Sequence, residues 1–263
     1  MKQVKINNFS IGYQEKGSGQ DLVLLHGGVS DSRYWERELH AYSDDFRTIA
    51  WDAPGCGVSD DPREGFSLSD YADALAGLLN SIEVHEPIIL GISFGGGLAI
   101  EFYDRHQDIP KALILVSAYA GWAGSLSDEE VARRLEKGRA QSSMDPEAVA
   151  EMWLPSLFYK APSQEILDEE KDIISDFHPK GSQIMLEAFA QADLRDTLPK
   201  IEVPTLLLYG DKDVRSPVSV ANEIHDQVPN SSLILLENVG HLINKEAPEL
   251  FDREVRKFIN KFS

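Results

Sequence analysis

The stretch "ILGISFGGGLAI", residues 89–100, places one serine between glycines where an apolar run ends and a helical pattern begins. Gly91, Ser93 and Gly95 have the spacing G-x-S-x-G, in which small flanking residues let a strand turn sharply into a helix and push the serine hydroxyl outward. At ordinary glycine and serine frequencies, a chain of this length contains the pattern by chance roughly one time in ten. Other residues must therefore decide whether Ser93 is a nucleophile.

Short apolar runs rich in Val, Ile and Leu alternate with longer amphipathic stretches, which predicts parallel strands joined by helices. The opening residues 4–17 are typical of an antiparallel hairpin at the edge of the sheet. The six core strands are predicted at residues 21–27, 47–52, 87–91, 111–117, 204–210 and 232–237.

Between the fourth and fifth core strands, residues 121–197 carry helical patterns and no strand pattern. Ser127 and Asp145 are typical helix starts within this segment. We therefore predict an α/β core made of residues 1–120 and 198–263, with residues 121–197 inserted as a helical cap.

The amino-acid composition and net charge limit which classes of protein and partner are plausible. The 263 residues are 42% hydrophobic and 26% charged, and no apolar run approaches the roughly 20 residues that span a bilayer. The first residues have no hydrophobic signal core and Cys56 is the one cysteine, so we expect a soluble, cytoplasmic protein. A net charge of -19 repels nucleic acid and anionic lipid surfaces and is expected to favour neutral or cationic substrates.

A serine nucleophile needs a general base, a group that orients the base, and donors for the developing oxyanion. Ligands bind beyond the carboxyl ends of parallel strands, and His241 follows the last predicted strand. The loop after the preceding strand offers Asp211 and Asp213. Asp213 lies three residues past Gly210, far enough to turn back toward His241, whereas Asp211 is better placed to cap the turn. The order Ser93, Asp213, His241 is the one expected after a G-x-S-x-G elbow.

Two backbone N–H groups are predicted to hold the oxyanion. The N–H of Phe94 points toward the space above Ser93, and the loop "HGGVSD" after the first core strand supplies a second donor. That donor is Gly28 or, as the alternative, Val29. His26, at the start of the loop, is expected to hold its shape rather than to transfer protons.

Other polar residues are predicted to be structural. Asp52 is expected to stabilise the turn that contains Gly55 and Gly57, with Cys56 packed inside it. The remaining histidines are expected to be structural or exposed and to lack an acid partner: His40, His85, His106, His178 and His225.

The segments "HGG", "DAPGCGVS", "GISFGG", "YGDKDVRSP" and "VGHLINKEAPE", in this order, resemble the α/β-hydrolase fold superfamily over nearly the whole chain outside the cap. The resemblance implies a mostly parallel eight-stranded sheet flanked by helices, an antiparallel second strand, and no cofactor. It also implies Ser93 as nucleophile, Asp213 as acid, His241 as base, and Gly28 and Phe94 as oxyanion donors. Within the superfamily, the chain is most similar to esterases and lactonases such as 3-oxoadipate enol-lactonase-like proteins.

The resemblance leaves the reaction partly open. Haloalkane dehalogenases and epoxide hydrolases use aspartate at the elbow, so Ser93 argues against both. We predict hydrolysis of a carboxylic ester or lactone, including a bulky or macrocyclic one. Two alternatives are carbon–carbon bond hydrolysis of the meta-cleavage type and a hydrolase-fold receptor with little turnover. The sequence predicts no oligomeric state.

Substrate choice is expected to depend on the cap and its neighbouring loops. Arginines in the cap could bind a carboxylate, but residues 121–197 hold 16 acidic and 8 basic residues, which disfavours anionic substrates. The predicted pocket consists of Val29, Trp122, Trp153, Phe158, Phe189 and Leu242.

Overall fold

The computed structural model describes residues 1–6 and 9–261. Eight strands form one sheet in the order β1-β2-β4-β3-β5-β6-β7-β8. β2 is antiparallel to both of its neighbours, and the other pairs are parallel. The strands are β1 Lys2–Ile6, β2 Phe9–Lys16, β3 Gln20–Leu25, β4 Phe46–Trp51, β5 Ile88–Ile92, β6 Ala112–Val116, β7 Thr205–Gly210 and β8 Ser231–Leu236.

The predicted sheet is confirmed, including its antiparallel second strand. The edge hairpin is formed by β1 and β2, and the central residues 7 and 8 of that predicted hairpin lie outside the described residues. All positions of β5, β6 and β7 are buried, as their continuous apolar runs predict for strands covered on both faces.

Ten α-helices lie within the described residues. The predicted starts at Ser127 and Asp145 are confirmed, because each side chain accepts a hydrogen bond from a first-turn amide. The helices are α1 Glu36–Ala41, α2 Leu68–Ser81, α3 Phe94–Arg105, α4 Asp128–Gln141, α5 Pro146–Leu157, α6 Gln164–Ser175, α7 Pro179–Gln191, α8 Val218–Gln227, α9 Ile243–Glu246 and α10 Pro248–Ile259.

The sheet separates two apolar clusters. Because side chains alternate along a strand, Val23 and Leu25 of β3 enter one cluster and Leu22 and Leu24 enter the other. Helices α2, α3 and α8 cover the first face, and α1 and α10 cover the second. Helices α4 to α7 lie between β6 and β7 in the chain, in the segment where the cap is predicted.

The layering brings the carboxyl ends of β3, β5, β7 and β8 to one edge of the sheet, where the predicted site residues follow each strand. In residues 1–6 and 9–261, no helix has the length and apolar character needed to cross a membrane.

Candidate active site

Ser93 occupies a strained turn between β5 and α3. Its φ of 54° and ψ of -114° lie outside the regions that L-residues ordinarily adopt. The Ser93 amide donates to the carbonyl oxygen of Val116 at the end of β6, at 2.9 Å, which anchors the turn to the sheet. Backbone strain of this kind persists where surrounding contacts hold it, and it is common at functional sites.

The glycines of the elbow are required by close backbone contacts. A Cβ at Gly91 would lie 2.2 Å from the carbonyl oxygen of Gly95, and a Cβ at Gly95 would lie 2.3 Å from that of Leu25. These clashes explain why the positions two residues before and two residues after Ser93 are glycines. They let α3 start directly against the ends of β3 and β5.

Asp213 and His241 form a buried hydrogen-bonded pair. Oδ2 of Asp213 lies 2.8 Å from Nδ1 of His241, and the residues are 5% and 3% exposed. The other oxygen, Oδ1, accepts from the amides of Arg215 and Ser216 at 2.8 and 2.9 Å. Burial alone would raise the pKa of Asp213, but the His241 charge and these hydrogen bonds outweigh it, so the pKa lies below its ordinary value.

The two candidate acids have different hydrogen-bond partners. Asp211 accepts from the amide of Asn238 and pairs with Lys212, which stabilises the turn between β7 and the loop after β8. Asp213 alone of the two reaches His241. The predicted assignment of Asp213 over Asp211 thus agrees with the hydrogen bonds.

The backbone of His241 is held from two sides. The hydroxyl of Ser117, at the end of β6, donates to the His241 carbonyl oxygen at 3.1 Å. The amides of His241 and Leu242 both donate to the carbonyl oxygen of Leu157, the last residue of α5, at 3.0 and 3.1 Å. The position of the histidine therefore depends on the segment between β6 and β7 as well as on the sheet.

Glu246 strengthens this connection. Its carboxylate accepts from the amides of Tyr159, Lys160 and Gly240 at 3.0, 2.9 and 2.9 Å. A Cβ at Gly240 would lie 2.5 Å from the Tyr159 amide nitrogen, so glycine permits this close contact. One side chain thereby joins the chain after α5 to the residue that precedes His241.

We expect Glu246→Ala to lower kcat/KM for ester hydrolysis by about 10- to 100-fold, because the histidine loop loses a fixed attachment. Three amides also lose a charged acceptor, so the free energy of unfolding should fall by about 1–3 kcal/mol. Steady-state kinetics and urea denaturation measure the two effects. Glu223→Ala, at an exposed site on α8, is the matched control and should change neither. Unchanged kinetics in Glu246→Ala would contradict the attachment.

Ser93 and His241 line one cavity of about 280 Å³ between the strand ends and helices α4 to α7. The predicted pocket residues that also line it are Val29, Trp122, Trp153, Phe189 and Leu242. Phe158 is not among the residues that line this cavity. Helix α5 ends at Leu157, and Phe158 continues in an extended conformation and packs against the apolar cluster on the α1 and α10 face.

The predicted oxyanion donors face the same cavity. Gly28, Val29 and Phe94 line it, and a Cβ at Gly28 would meet nothing within 4 Å. Phe94 is the first residue of α3, where helical amides have no partner within the helix. Val29 has a φ of 54°, which is uncommon for a β-branched residue. The choice between Gly28 and Val29 stays a prediction.

His26 has both ring nitrogens occupied by its own loop. Nδ1 donates to the carbonyl oxygen of Gly27 at 2.7 Å, and Nε2 accepts from the amide of Ala53 at 3.0 Å. This pattern requires the neutral ring, and burial lowers the pKa of His26 accordingly. The ring thus holds the glycine loop, in line with its predicted structural role.

Asp52 and Cys56 also have the surroundings expected of structural residues. The Asp52 carboxylate accepts from the amides of Ser32 and Val58 at 2.8 and 3.0 Å, which closes the turn. Burial raises the pKa of the Cys56 thiol well above its usual range, so little thiolate forms.

The expectation that the remaining histidines lack an acid partner is wrong in three cases. His106 lies 3.1 Å from Asp73, His178 lies 2.8 Å from Asp61, and His40 lies 3.2 Å from Glu36. None of these three histidines lines the cavity that contains Ser93. Within the part of the chain that the structure describes, no group of three or more His, Cys, Asp or Glu side chains is arranged to hold a metal ion.

A second polar cluster lies beside the cavity where α6 meets the core. Glu170, 2% exposed, and Tyr34 line the cavity, and Nζ of Lys245 lies 3.4 Å from a Glu170 oxygen that lacks a directed hydrogen bond. Burial raises the pKa of Glu170 to about 7, since Lys245 offsets it only in part and Glu169 and Glu38 raise it further. Sequence reasoning missed this cluster, whose members are far apart in the chain.

We expect Glu170→Gln to flatten the pH dependence of stability. A carboxyl whose pKa rises on folding from 4.5 to about 7 stabilises the fold fully below pH 4.5, and this contribution is lost as the pH rises through about 7. This rise in pKa corresponds to about 3 kcal/mol in the free energy of unfolding between the two pH limits. Glutamine mimics the protonated carboxyl at every pH, so the variant should lack this pH-dependent contribution. Urea denaturation at mildly acidic and mildly alkaline pH measures it, with Glu169→Gln, an exposed neighbour, as control. Equal pH dependence in Glu170→Gln and wild type would overturn this expectation.

The comparison with protein families agrees with the fold and the motifs. Residues 22–254 match the model of the alpha/beta hydrolase family. The chain belongs to the alpha/beta hydrolase family. Among the relatives of this alpha/beta hydrolase is the AB hydrolase superfamily protein YisY of Bacillus subtilis, 28% identical over 94% of each chain. Another is a pimeloyl-[acyl-carrier protein] methyl ester esterase of Vibrio cholerae, 29% identical over 95% of this chain and 98% of that one.

A solved structure similar to this alpha/beta hydrolase is a thermophilic esterase from Thermogutta terrifontis. It is 26% identical, covers 99% of each chain and superposes with a TM-score of 0.88. The similarity extends across the core and the helical segment between β6 and β7. The protein is thus an alpha/beta hydrolase with esterases among its relatives and structural neighbours.

Proposed function

We propose that this protein hydrolyses carboxylic esters or lactones through an acyl-enzyme on Ser93. The observation that carries the proposal is the buried hydrogen bond of 2.8 Å between Asp213 and His241, with Ser93 and His241 lining one cavity. Relatives and neighbours named as esterases support the same reaction class.

In the proposed cycle, Nε2 of His241 takes the proton of the Ser93 hydroxyl as the serine oxygen attacks the ester carbonyl. Nδ1–H of His241 donates to Asp213, which orients the ring and stabilises its protonated form. The amides of Phe94 and Gly28 donate to the oxyanion. The alcohol leaves with the proton from His241, and water repeats the sequence on the acyl-enzyme.

The cavity limits the acyl group. Its volume of about 280 Å³ lies just below the range of about 300–1,000 Å³ for small-molecule sites. Short or medium acyl chains therefore suit it better than a macrocyclic lactone. The aromatic rings of Phe94, Phe189 and Trp122 pack edge to face or tilted along one wall, so that wall favours apolar carbon chains.

Hydrolysis of a p-nitrophenyl ester series from acetate to decanoate, by wild type and Ser93→Ala in parallel, tests the proposal. We expect turnover by the wild type with an optimum at short or medium chain length, and none above background by the variant. A wild type that turns over no ester or lactone would contradict the proposal and favour carbon–carbon hydrolysis or a receptor.

A further inference from the structure

Arg215 differs from the other arginines in having no acidic partner. Within residues 1–6 and 9–261, every other arginine has a carboxylate oxygen within 4.0 Å, and Arg215 has none. Arg215 is partly buried and lines the cavity that contains Ser93 and His241. A positive charge without a counterion therefore faces the space where substrate would bind.

Neutral groups hold this guanidinium in place. Its Nη1 donates to the hydroxyl of Ser156 at 2.9 Å, and its Cζ lies 4.3 Å from the centre of the Trp153 ring. The backbone is fixed too, because its amide donates to Asp213 and its carbonyl oxygen accepts from Nη2 of Arg134 at 3.0 Å. A stacked arginine keeps its planar fork preorganised, and one hydrogen bond to Ser156 leaves most of its five donors free.

The charges around the cavity have the opposite sign to the chain as a whole. Arg133, Arg134, Lys137 and Arg215 line it, and the one carboxyl among the described lining residues is Glu170. Because the pKa of Glu170 is about 7, that carboxyl is protonated for much of the time near neutral pH. The residues outside the cavity lining therefore account for the negative net charge of -19.

A partly buried charge that lacks a counterion is costly, and a ligand carboxylate can supply what the protein does not. Arginine and carboxylate form two parallel charged hydrogen bonds, which adds orientation as well as affinity. Burial lowers the pKa of Arg215 and the nearby Arg134 charge adds to this effect, which together outweigh the opposing influence of Tyr119 and Asp213.

We propose that Arg215 binds a free carboxylate of the substrate, so that the protein acts on esters or lactones that carry a second, ionised acid group. This inference rests on the proposed ester hydrolysis and adds a substrate class and a binding residue. This preference for anionic substrates is the opposite of the preference for neutral or cationic substrates that the net charge of the chain predicts. The cap arginines considered in the sequence, Arg133 and Arg134, share Glu130 as a partner, whereas Arg215 shares none.

The kinetic test compares matched neutral and anionic esters. Mono-p-nitrophenyl succinate, adipate and suberate are each measured against the p-nitrophenyl butyrate, hexanoate or octanoate of the same chain length. We expect the ratio of kcat/KM values, anionic over neutral, to fall about 10- to 100-fold in Arg215→Met at the preferred length, mostly through KM. Arg215→Lys should be intermediate because it keeps the charge and loses the fork. Arg139→Met, which removes an exposed arginine paired with Glu187 and outside the cavity lining, should keep the wild-type ratio.

A binding measurement separates the two proposals. Calorimetric titration of the corresponding dicarboxylates into Ser93→Ala, with and without Arg215→Met, requires no turnover. If dicarboxylates bind to Ser93→Ala and the added Arg215→Met substitution weakens their affinity at least tenfold, the anion site is supported even if no ester is hydrolysed. Two results would overturn the anion site while leaving ester hydrolysis intact. One is an anionic-to-neutral ratio of kcat/KM that Arg215→Met leaves unchanged at every acyl chain length. The other is dicarboxylate binding that Arg215→Met leaves unchanged. Circular dichroism confirms folding of each variant, and Arg215→Gln replaces Arg215→Met if that protein does not fold.

Discussion

Ser93→Ala is expected to lower kcat for p-nitrophenyl ester hydrolysis by about 10⁵- to 10⁶-fold. The hydroxyl is the group on which the proposed acyl-enzyme forms, and an alanine at this position leaves only binding and oxyanion stabilisation. The fold should be unaffected, because Gly91 and Gly95 set the turn and the Ser93 amide keeps its hydrogen bond to Val116.

Ser30→Ala is the matched control for this experiment. Ser30 lines the same cavity, and its buried hydroxyl has no hydrogen-bond partner among the described residues. Its removal should change kcat less than about tenfold, because no directed interaction of this hydroxyl is lost. Equal losses in Ser30→Ala and Ser93→Ala, or a Ser93→Ala protein with wild-type kcat, would contradict the assignment of the nucleophile.

Asp213→Asn is expected to lower kcat by about 10⁴-fold. The carboxylate accepts Nδ1–H of His241, so Nε2 is free to take the serine proton. An asparagine amide donates at the same place and favours the tautomer in which Nε2 carries the proton, which removes the base. The two amides of Arg215 and Ser216 keep an oxygen acceptor, so the loop should retain its shape.

Asp211→Asn provides the comparison within the same loop. Asp211 accepts from the Asn238 amide and pairs with Lys212, and neither contact involves His241. We expect a change in kcat of no more than about tenfold. A larger loss in Asp211→Asn than in Asp213→Asn, with both proteins folded by circular dichroism, would show that the wrong aspartate has been assigned to the histidine.

The sheet and the strand-end residues could be predicted because local patterns specify them. Continuous apolar runs predict buried parallel strands, and parallel strands bring the loops after them to one edge. Asp213 and His241 could therefore be paired from their positions after neighbouring strands. An added Cβ at Gly91 or Gly95 would lie only 2.2 or 2.3 Å from a backbone oxygen, so only glycine fits at these two positions.

The cavity wall was less predictable, because it depends on how helices of the predicted cap end and pack. Phe158 belongs to an apolar stretch but lies one residue past the end of α5, and a helix boundary is set by packing as much as by sequence. Arg215 has no sequence feature that separates it from paired arginines. Only the folded structure shows that its guanidinium contacts Trp153 and Ser156 and has no acidic partner.

Covalent labelling tests the central claim, nucleophilic catalysis by Ser93, most directly. The protein is treated with an alkyl fluorophosphonate, which reacts with activated serines, and is then digested and analysed by mass spectrometry. We predict one adduct per chain, on the Ser93 hydroxyl, with loss of ester hydrolysis in proportion to labelling and no adduct in Ser93→Ala. An unlabelled wild-type protein that still hydrolyses esters, or an adduct on another residue that accounts for the lost activity, would contradict the account.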